Sequence, residues 1–140
     1  RPKGKPWESK RVKTICAYCG VGCELELDVH RDQVVGTRPS YGGVNQGSLC
    51  AKGRFGYEFI NHPDRLRQPL VRKNGYFAEV NWDEALDMVA ERLRAVIGEH
   101  GPDAVAGLTS ARATNEENYI FQKFMRGVVG TNNIDHCARL

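Results

Sequence analysis

Four of the five cysteines fall into one pattern. Cys16-x2-Cys19-x3-Cys23 lies within eight residues, and Cys50 follows at a distance inside Gly47-Ser48-Leu49-Cys50-Ala51-Lys52-Gly53. Thiolates are soft ligands, and a compact cube of iron and sulfide needs four of them converging from different directions. Three of these cysteines share a tight loop, and the fourth sits on a segment that must fold back onto it. The expected chemistry is a [4Fe–4S] cluster held by Cys16, Cys19, Cys23 and Cys50. Zinc is the main rival, but structural zinc sites usually pair two C-x2-C knuckles, and here the fourth cysteine stands alone. A disulfide framework is a poorer match to an odd count and this cadence.

The remaining chain has to position those thiols. Its 140 residues suffice for one domain, or for a small domain and part of another. A hydrophobic content of 41% and a charged content of 26% are ordinary for a soluble globular protein. No apolar run approaches a membrane span, and the start shows neither a secretory apolar core nor a twin-arginine pair, so a cytoplasmic location is expected. The first residue is not Met, and the natural start is expected upstream. A net charge of +3 is too small to imply a nucleic-acid partner. Arg1, Lys3, Lys5, Lys10, Arg11 and Lys13, opposed by Glu8 and interspersed with Pro2, Gly4 and Pro6, suggest a solvated basic linker over residues 1–13 in preference to a nucleic-acid arm.

From the cysteine loop the chain runs into Glu24-Leu25-Glu26-Leu27-Asp28-Val29, a strict alternation that predicts a half-buried strand. His30–Gln33 reads as a turn and Val34–Thr37 as the returning strand; His30 is expected to be exposed at the strand end and not a ligand. A turn-rich loop over 39–47 would bring Cys50 back to the metal. Two prolines within 61–70 end any helix begun at 55–60. Asn74-Gly75 marks a second hairpin between short strands. A helix is predicted from Asn81, capped by Asn81 and Glu84, with Ala85, Leu86, Val89, Leu93, Val96 and Ile97 on one face and Gly98 or Gly101 ending it. Residues 103–109 read as a short buried strand. Thr114 and Glu117 frame a second helix whose Ile120, Phe121, Phe124, Met125 and Val128 are expected in a core, with Gly130 as its stop. The fold class is thus mixed α+β and α/β: a small β-rich cluster subdomain over 14–70, then over 71–140 the opening of an α/β domain too short to close a sheet.

With these motifs assembled, the chain resembles the N-terminal region of the catalytic subunit of molybdenum- or tungsten-dependent formate dehydrogenases, within the molybdopterin oxidoreductases. The likeness covers nearly everything from Lys13 to Leu140. It is carried by the cysteine pattern, Lys52-Gly53-Arg54-Phe55-Gly56, Asn81-Trp82-Asp83-Glu84-Ala85-Leu86, Thr114-Asn115-Glu116-Glu117-Asn118-Tyr119 and Gly130-Thr131-Asn132-Asn133. The final Asp135-His136-Cys137-Ala138-Arg139-Leu140 looks specifically like formate dehydrogenase.

The resemblance implies oxidation of formate to carbon dioxide at molybdenum or tungsten held by a bis-molybdopterin guanine dinucleotide. Electrons would leave through the [4Fe–4S] cluster toward electron-transfer domains or subunits. Cys16, Cys19, Cys23 and Cys50 match the cluster ligands, and Lys52 matches a lysine between cluster and pterin. Arg112, where a strand turns into a helix, is a candidate contact for the dinucleotide phosphates. The metal ligand, a cysteine or selenocysteine, is expected immediately after Leu140, leaving no catalytic residue within the chain. Cys137 matches the cysteine before that ligand and is expected to be a buried small hydrophobe. An end one residue before a selenocysteine is what premature termination at its stop codon would produce; an engineered boundary is the alternative. The rival readings are a nitrate reductase of the same superfamily, the iron–sulfur electron-transfer subunit of an NADH dehydrogenase complex, and a bare iron–sulfur carrier.

Overall fold

The computed structural model describes residues 6–137. The basic positions in 1–5, the terminal Ala138, Arg139 and Leu140, and the ligand position expected after Leu140 lie outside the described residues. The chain forms a mixed α/β structure with small sheets, organised as two compact units. One comprises the described residues up to Arg65 together with Ser110–Asn118; the other comprises Leu66–Thr109 and Tyr119–Cys137. The unit that holds the cysteine loop therefore takes in a later segment that a contiguous division at residue 70 assigns elsewhere.

The first unit is built on a three-stranded antiparallel sheet, β1 (Lys10–Ile15), β2 (Glu24–His30) and β3 (Gln33–Pro39), in that order. The alternating stretch forms β2 as expected, with Leu25 buried at 4% exposure. Arg31 and Asp32 both take positive φ (47° and 58°), which gives the turn the twist a two-residue hairpin needs. Residues 10–13 depart from the expected linker. They pair with β2, Val12 opposite Leu27 and Lys13 opposite Glu26, and Lys13 Nζ lies 3.3 Å from Glu24 Oε1. Their basic composition hid the strand because β1 is an edge with every residue exposed, where lysines discourage further pairing.

After the loop, Ala51–Phe55 forms a short helix, α1, and Glu58–Asn61 a 3₁₀ turn. The helix begins earlier than expected and breaks at Gly56 ahead of the prolines. These pieces cover the free edge of β3. Val34 N–H donates to Asn61 Oδ1 (2.8 Å), Tyr57 Oη–H donates to Val35 O (3.0 Å) and Thr37 Oγ1–H donates to Arg54 O (2.6 Å).

The second unit opens with the hairpin β4 (Leu70–Lys73) and β5 (Tyr76–Glu79), turned by Asn74-Gly75 at φ 51° and 92°. Helix α2 (Trp82–His100) starts where the capping residues place it, with Glu84 N–H donating to Asn81 Oδ1 at 2.8 Å, and Gly101 caps its end. The expected strand over 103–109 is shorter and less buried. Pro102–Ala104 forms a 3₁₀ turn and only β6 (Gly107–Ser110) is strand, with Leu108 81% exposed. Helix α3 (Asn115–Phe124) carries its capping box: Thr114 N–H donates to Glu117 Oε2 (2.7 Å) and Glu117 N–H to Thr114 Oγ1 (3.3 Å). A π-helical turn, Met125–Val129, extends it to Gly130, whose left-handed φ of 86° ends the run. β7 (Ile134–Cys137) pairs with β6. Thr131 Oγ1–H donates to Asp103 Oδ1 and Asn133 Nδ2–H to Asp103 O, both at 2.8 Å, which locks the two connections together.

The apolar helix faces are only partly used. Met125 and Val129 are buried, whereas Leu86, Val89, Ile120 and Val128 stand exposed. The periodicity identified the helices correctly, but burial of each face needs a neighbour. Replacing Asn81 by Ala removes the one side-chain acceptor at the start of α2. It should lower stability by about 1 kcal/mol, read as a lower denaturation midpoint, with Asn81→Ser close to wild type.

Candidate metal centre

The cysteine loop is closed by Cys16 N–H donating to Cys23 O at 2.8 Å, so the first and third cysteines share the neck of one turn. Two side chains pin the loop between them. Tyr18 Oη–H donates to Gly56 O, and the Tyr18 ring meets Phe59 edge-on at 5.8 Å. Asn115 Nδ2–H donates to Gly20 O at 2.7 Å, and a Cβ at Gly20 would collide with the Asn115 amide. A side chain at position 20 would therefore make the Asn115 amide shift and disturb its bond to Gly20 O.

Cys50 arrives from the other side as the residue preceding α1. A Cβ on the buried Gly53 would stand 3.6 Å from Cys16 Sγ, so α1 passes close against the first cysteine. The loop ahead of it is fastened to β2 by Asn45. Glu24 N–H donates to Asn45 Oδ1 at 2.8 Å, and Asn45 Nδ2 donates to Glu24 O (3.1 Å) and Ser48 O (2.9 Å). Beside it, the buried Ser40 hydroxyl donates to the Glu24 carboxylate. That bond, then Lys13, holds the Glu24 carboxyl below its usual range.

All four motif cysteines are free thiols; Cys16, Cys19 and Cys23 are half-buried and Cys50 is exposed. They lie near enough to share an electrostatic field. Burial, followed by the proximity of Cys16, Cys19 and Cys50, pushes the Cys23 thiol up. Cys50 moves the opposite way. Its sulfur closes no formal cap bond, yet it faces the Gly53 and Lys52 N–H groups, and these together with the Lys52 ammonium pull its thiol down. Among the described residues no three His, Cys, Asp or Glu side chains form a set that could hold a single metal ion. Four soft thiol donors from two chain segments are the donor set that a cube of iron and sulfide takes.

Lys52 is half-buried on the first turn of α1. Arg112 is exposed in the turn between β6 and α3, where its N–H donates to Ser110 Oγ at 3.1 Å, within the same unit as the cysteine loop. His30 is not among the thiols; its Nδ1 lies 3.2 Å from Glu8 O at the far end of the sheet. Cys137 is exposed on β7, which corrects the expectation of a buried small hydrophobe. Its strand packs only against β6 among the described sheets, too little to cover it. Asn45, Tyr18 and the Asn115–Gly20 contact escaped the sequence reading. No periodicity marks a loop asparagine, although Tyr18 between two cysteines and Asn115 just inside a capping box were visible signals.

Two family models match the chain. The molybdopterin oxidoreductase Fe4S4 domain covers residues 9–62 and molybdopterin oxidoreductase covers residues 65–140. The chain belongs to the molybdopterin oxidoreductase family. Its cofactors are accordingly a [4Fe–4S] cluster and a molybdopterin, and the zinc and disulfide readings fall away. A Staphylococcus aureus (strain USA300) protein provisionally named a formate dehydrogenase is 47% identical over 93% of this chain and 13% of its own length. The F420-dependent formate dehydrogenase 2 subunit alpha of Methanococcus maripaludis is 50% identical over 95% of this chain and 19% of its own. Acetylene hydratase from Pelobacter acetylenicus shares the fold, with a TM-score of 0.68 at 24% identity over 91% of this chain and 18% of that one. The chain spans less than a fifth of the length of these relatives. Among the described residues no helix is long and apolar enough to cross a membrane.

The opposed thiol shifts predict an order of reactivity in the metal-free chain. At neutral pH Cys50 holds more thiolate than Cys23 and should alkylate first. Lys52→Gln should move its labelling profile to higher pH. Peptide mass mapping of iodoacetamide labelling against pH reads both; equal rates at Cys23 and Cys50 would contradict the assignment.

Proposed function

We propose that this chain is the cluster-bearing N-terminal region of a formate dehydrogenase catalytic subunit. The overall reaction is formate to carbon dioxide, one proton and two electrons. The observation that carries the reading is identity of 47–50% to proteins named formate dehydrogenase along nearly the whole chain. The fold alone would not do so, since a shared fold supports unrelated chemistries.

In this reading Cys16, Cys19, Cys23 and Cys50 hold the cluster. A molybdenum or tungsten centre carried by two pterin dithiolenes supplies the two-electron step, and an iron–sulfur cluster carries electrons one at a time. The chain's own residues shape the exit path. Lys52 places a cation beside Cys50, where it offsets thiolate charge and can donate to the pterin. Arg112, exposed in the turn before α3, offers a guanidinium to the dinucleotide phosphates beside a helix N-terminus. The three-stranded sheet with α1 forms the cluster subdomain, and residues 71–140 open the pterin-binding α/β domain. In this reading the metal ligand is supplied from outside residues 1–140. Electron-transfer domains or subunits receive the electrons, in a cytoplasmic enzyme.

The test is dye reduction by the gene's full product, purified without oxygen and assayed for iron, molybdenum and tungsten. Formate should drive reduction, and residues 1–140 alone should give none. A metal-loaded product silent to formate but active with nitrate would move the assignment to the nitrate reductase reading.

A further inference from the structure

Beyond the four cysteines, the structure assigns Asn45 as the residue that sets the position of Cys50 relative to Cys23. The inference rests on the reading that these thiols hold the cluster. Cys23 is followed directly by β2, and Cys50 is reached only through the loop over 40–50. One side chain spans the two. Asn45 accepts from Glu24 N–H through Oδ1, and both Nδ2 hydrogens are committed, one to Glu24 O and one to Ser48 O. The first two bonds grip the residue after Cys23; the third grips the carbonyl two residues before Cys50. An amide has one acceptor and two donors, so its three partners use both kinds of group.

The surroundings leave this clamp little slack. Gly43 lies so close to β2 that a Cβ there would collide with the Glu24 side chain. Gln46 and Gly47 take left-handed φ of 42° and 82°, and Ser48 N–H donates back to Asn45 O at 2.8 Å, which fixes the path from Asn45 onward. At Gly47 a Cβ would stand 2.5 Å from the Tyr41 ring. The loop is therefore tied to β2 through one amide and ends at Cys50. Asn45 is a positioning residue: it touches no reacting atom and acts through Cys23 and Cys50.

Two substitutions separate this role from general stability. Asn45→Asp keeps size and the acceptor but turns a carboxylate toward the Glu24 and Ser48 carbonyls, losing both donated bonds. Asn45→Ala removes all three. Asn61→Ala is the control, because Asn61 also accepts from a backbone N–H, that of Val34, within the same unit but away from the thiols. The experiment uses the gene's full product with its iron, following bleaching of the cluster by a ferrous chelator and the electron paramagnetic resonance signal of the reduced cluster. Loss of a supporting partner of a metal ligand typically weakens metal binding by about 10- to 100-fold. Both Asn45 variants should bleach faster on that scale and shift the resonance of the cluster, with Asn61→Ala matching wild type in both. If Asn45→Ala does not fold, Asn45→Asp decides alone. Wild-type bleaching and resonance in Asn45→Asp would overturn the assignment, as would equal lability in Asn61→Ala. A wild-type protein lacking any cluster that depends on the four cysteines would instead overturn the reading beneath it.

Discussion

Everything in the first unit depends on bringing four sulfur atoms to one place against their mutual repulsion. Cys23 shows the cost directly, since burial and three neighbouring thiols all disfavour its charged form. A cationic inorganic core would offset that repulsion on binding, because its positive charge compensates the thiolates formed as the ligating thiols give up their protons. The protein supplies part of the relief beforehand. Cys50 meets backbone N–H groups at the start of α1 and the Lys52 ammonium, so its thiol is already shifted toward the ligating form.

The scaffold around the thiols is mostly hydrogen bonding, since the apolar interior is small. Leu25 is the one buried hydrophobic side chain in the sheet among the described residues. Tyr18, Asn45 and Asn115 instead fasten three separate points of the two cysteine segments to backbone carbonyls or amides. Such bonds are individually modest, typically about 1 kcal/mol net, but they are directional. Direction is what a ligand set needs, because a fraction of an ångström decides whether four donors meet one cluster.

Much of this was legible in the residues. The cysteine spacing, both hairpin turns and both helix starts followed from local chemistry: positive φ at Asn74-Gly75, the Asn81 cap and the Thr114–Glu117 box each act within four residues. What could not be read depends on distant partners. β1 looked like a linker because a basic edge strand is recognised only once Leu27 and Glu26 lie opposite it. Ile120 and Val128 looked like core because periodicity reports a face and not its cover. Cys137 misled because its residue type reports a preference for burial and not the cover its strand receives. At the candidate metal centre the four cysteines stand out by type, whereas Asn45 does not, since its meaning lies in a strand 21 positions away.

The central claim is that Cys16, Cys19, Cys23 and Cys50 together hold one [4Fe–4S] cluster. Mössbauer spectroscopy and iron counting on the gene's full product, wild type beside the four single Cys→Ser variants, test it most directly. The account predicts that each variant loses or degrades the same cluster, about four irons per chain at most, while Cys137→Ser retains it. Full iron and an unchanged spectrum in any one of the four, or loss of that cluster in Cys137→Ser, would contradict it.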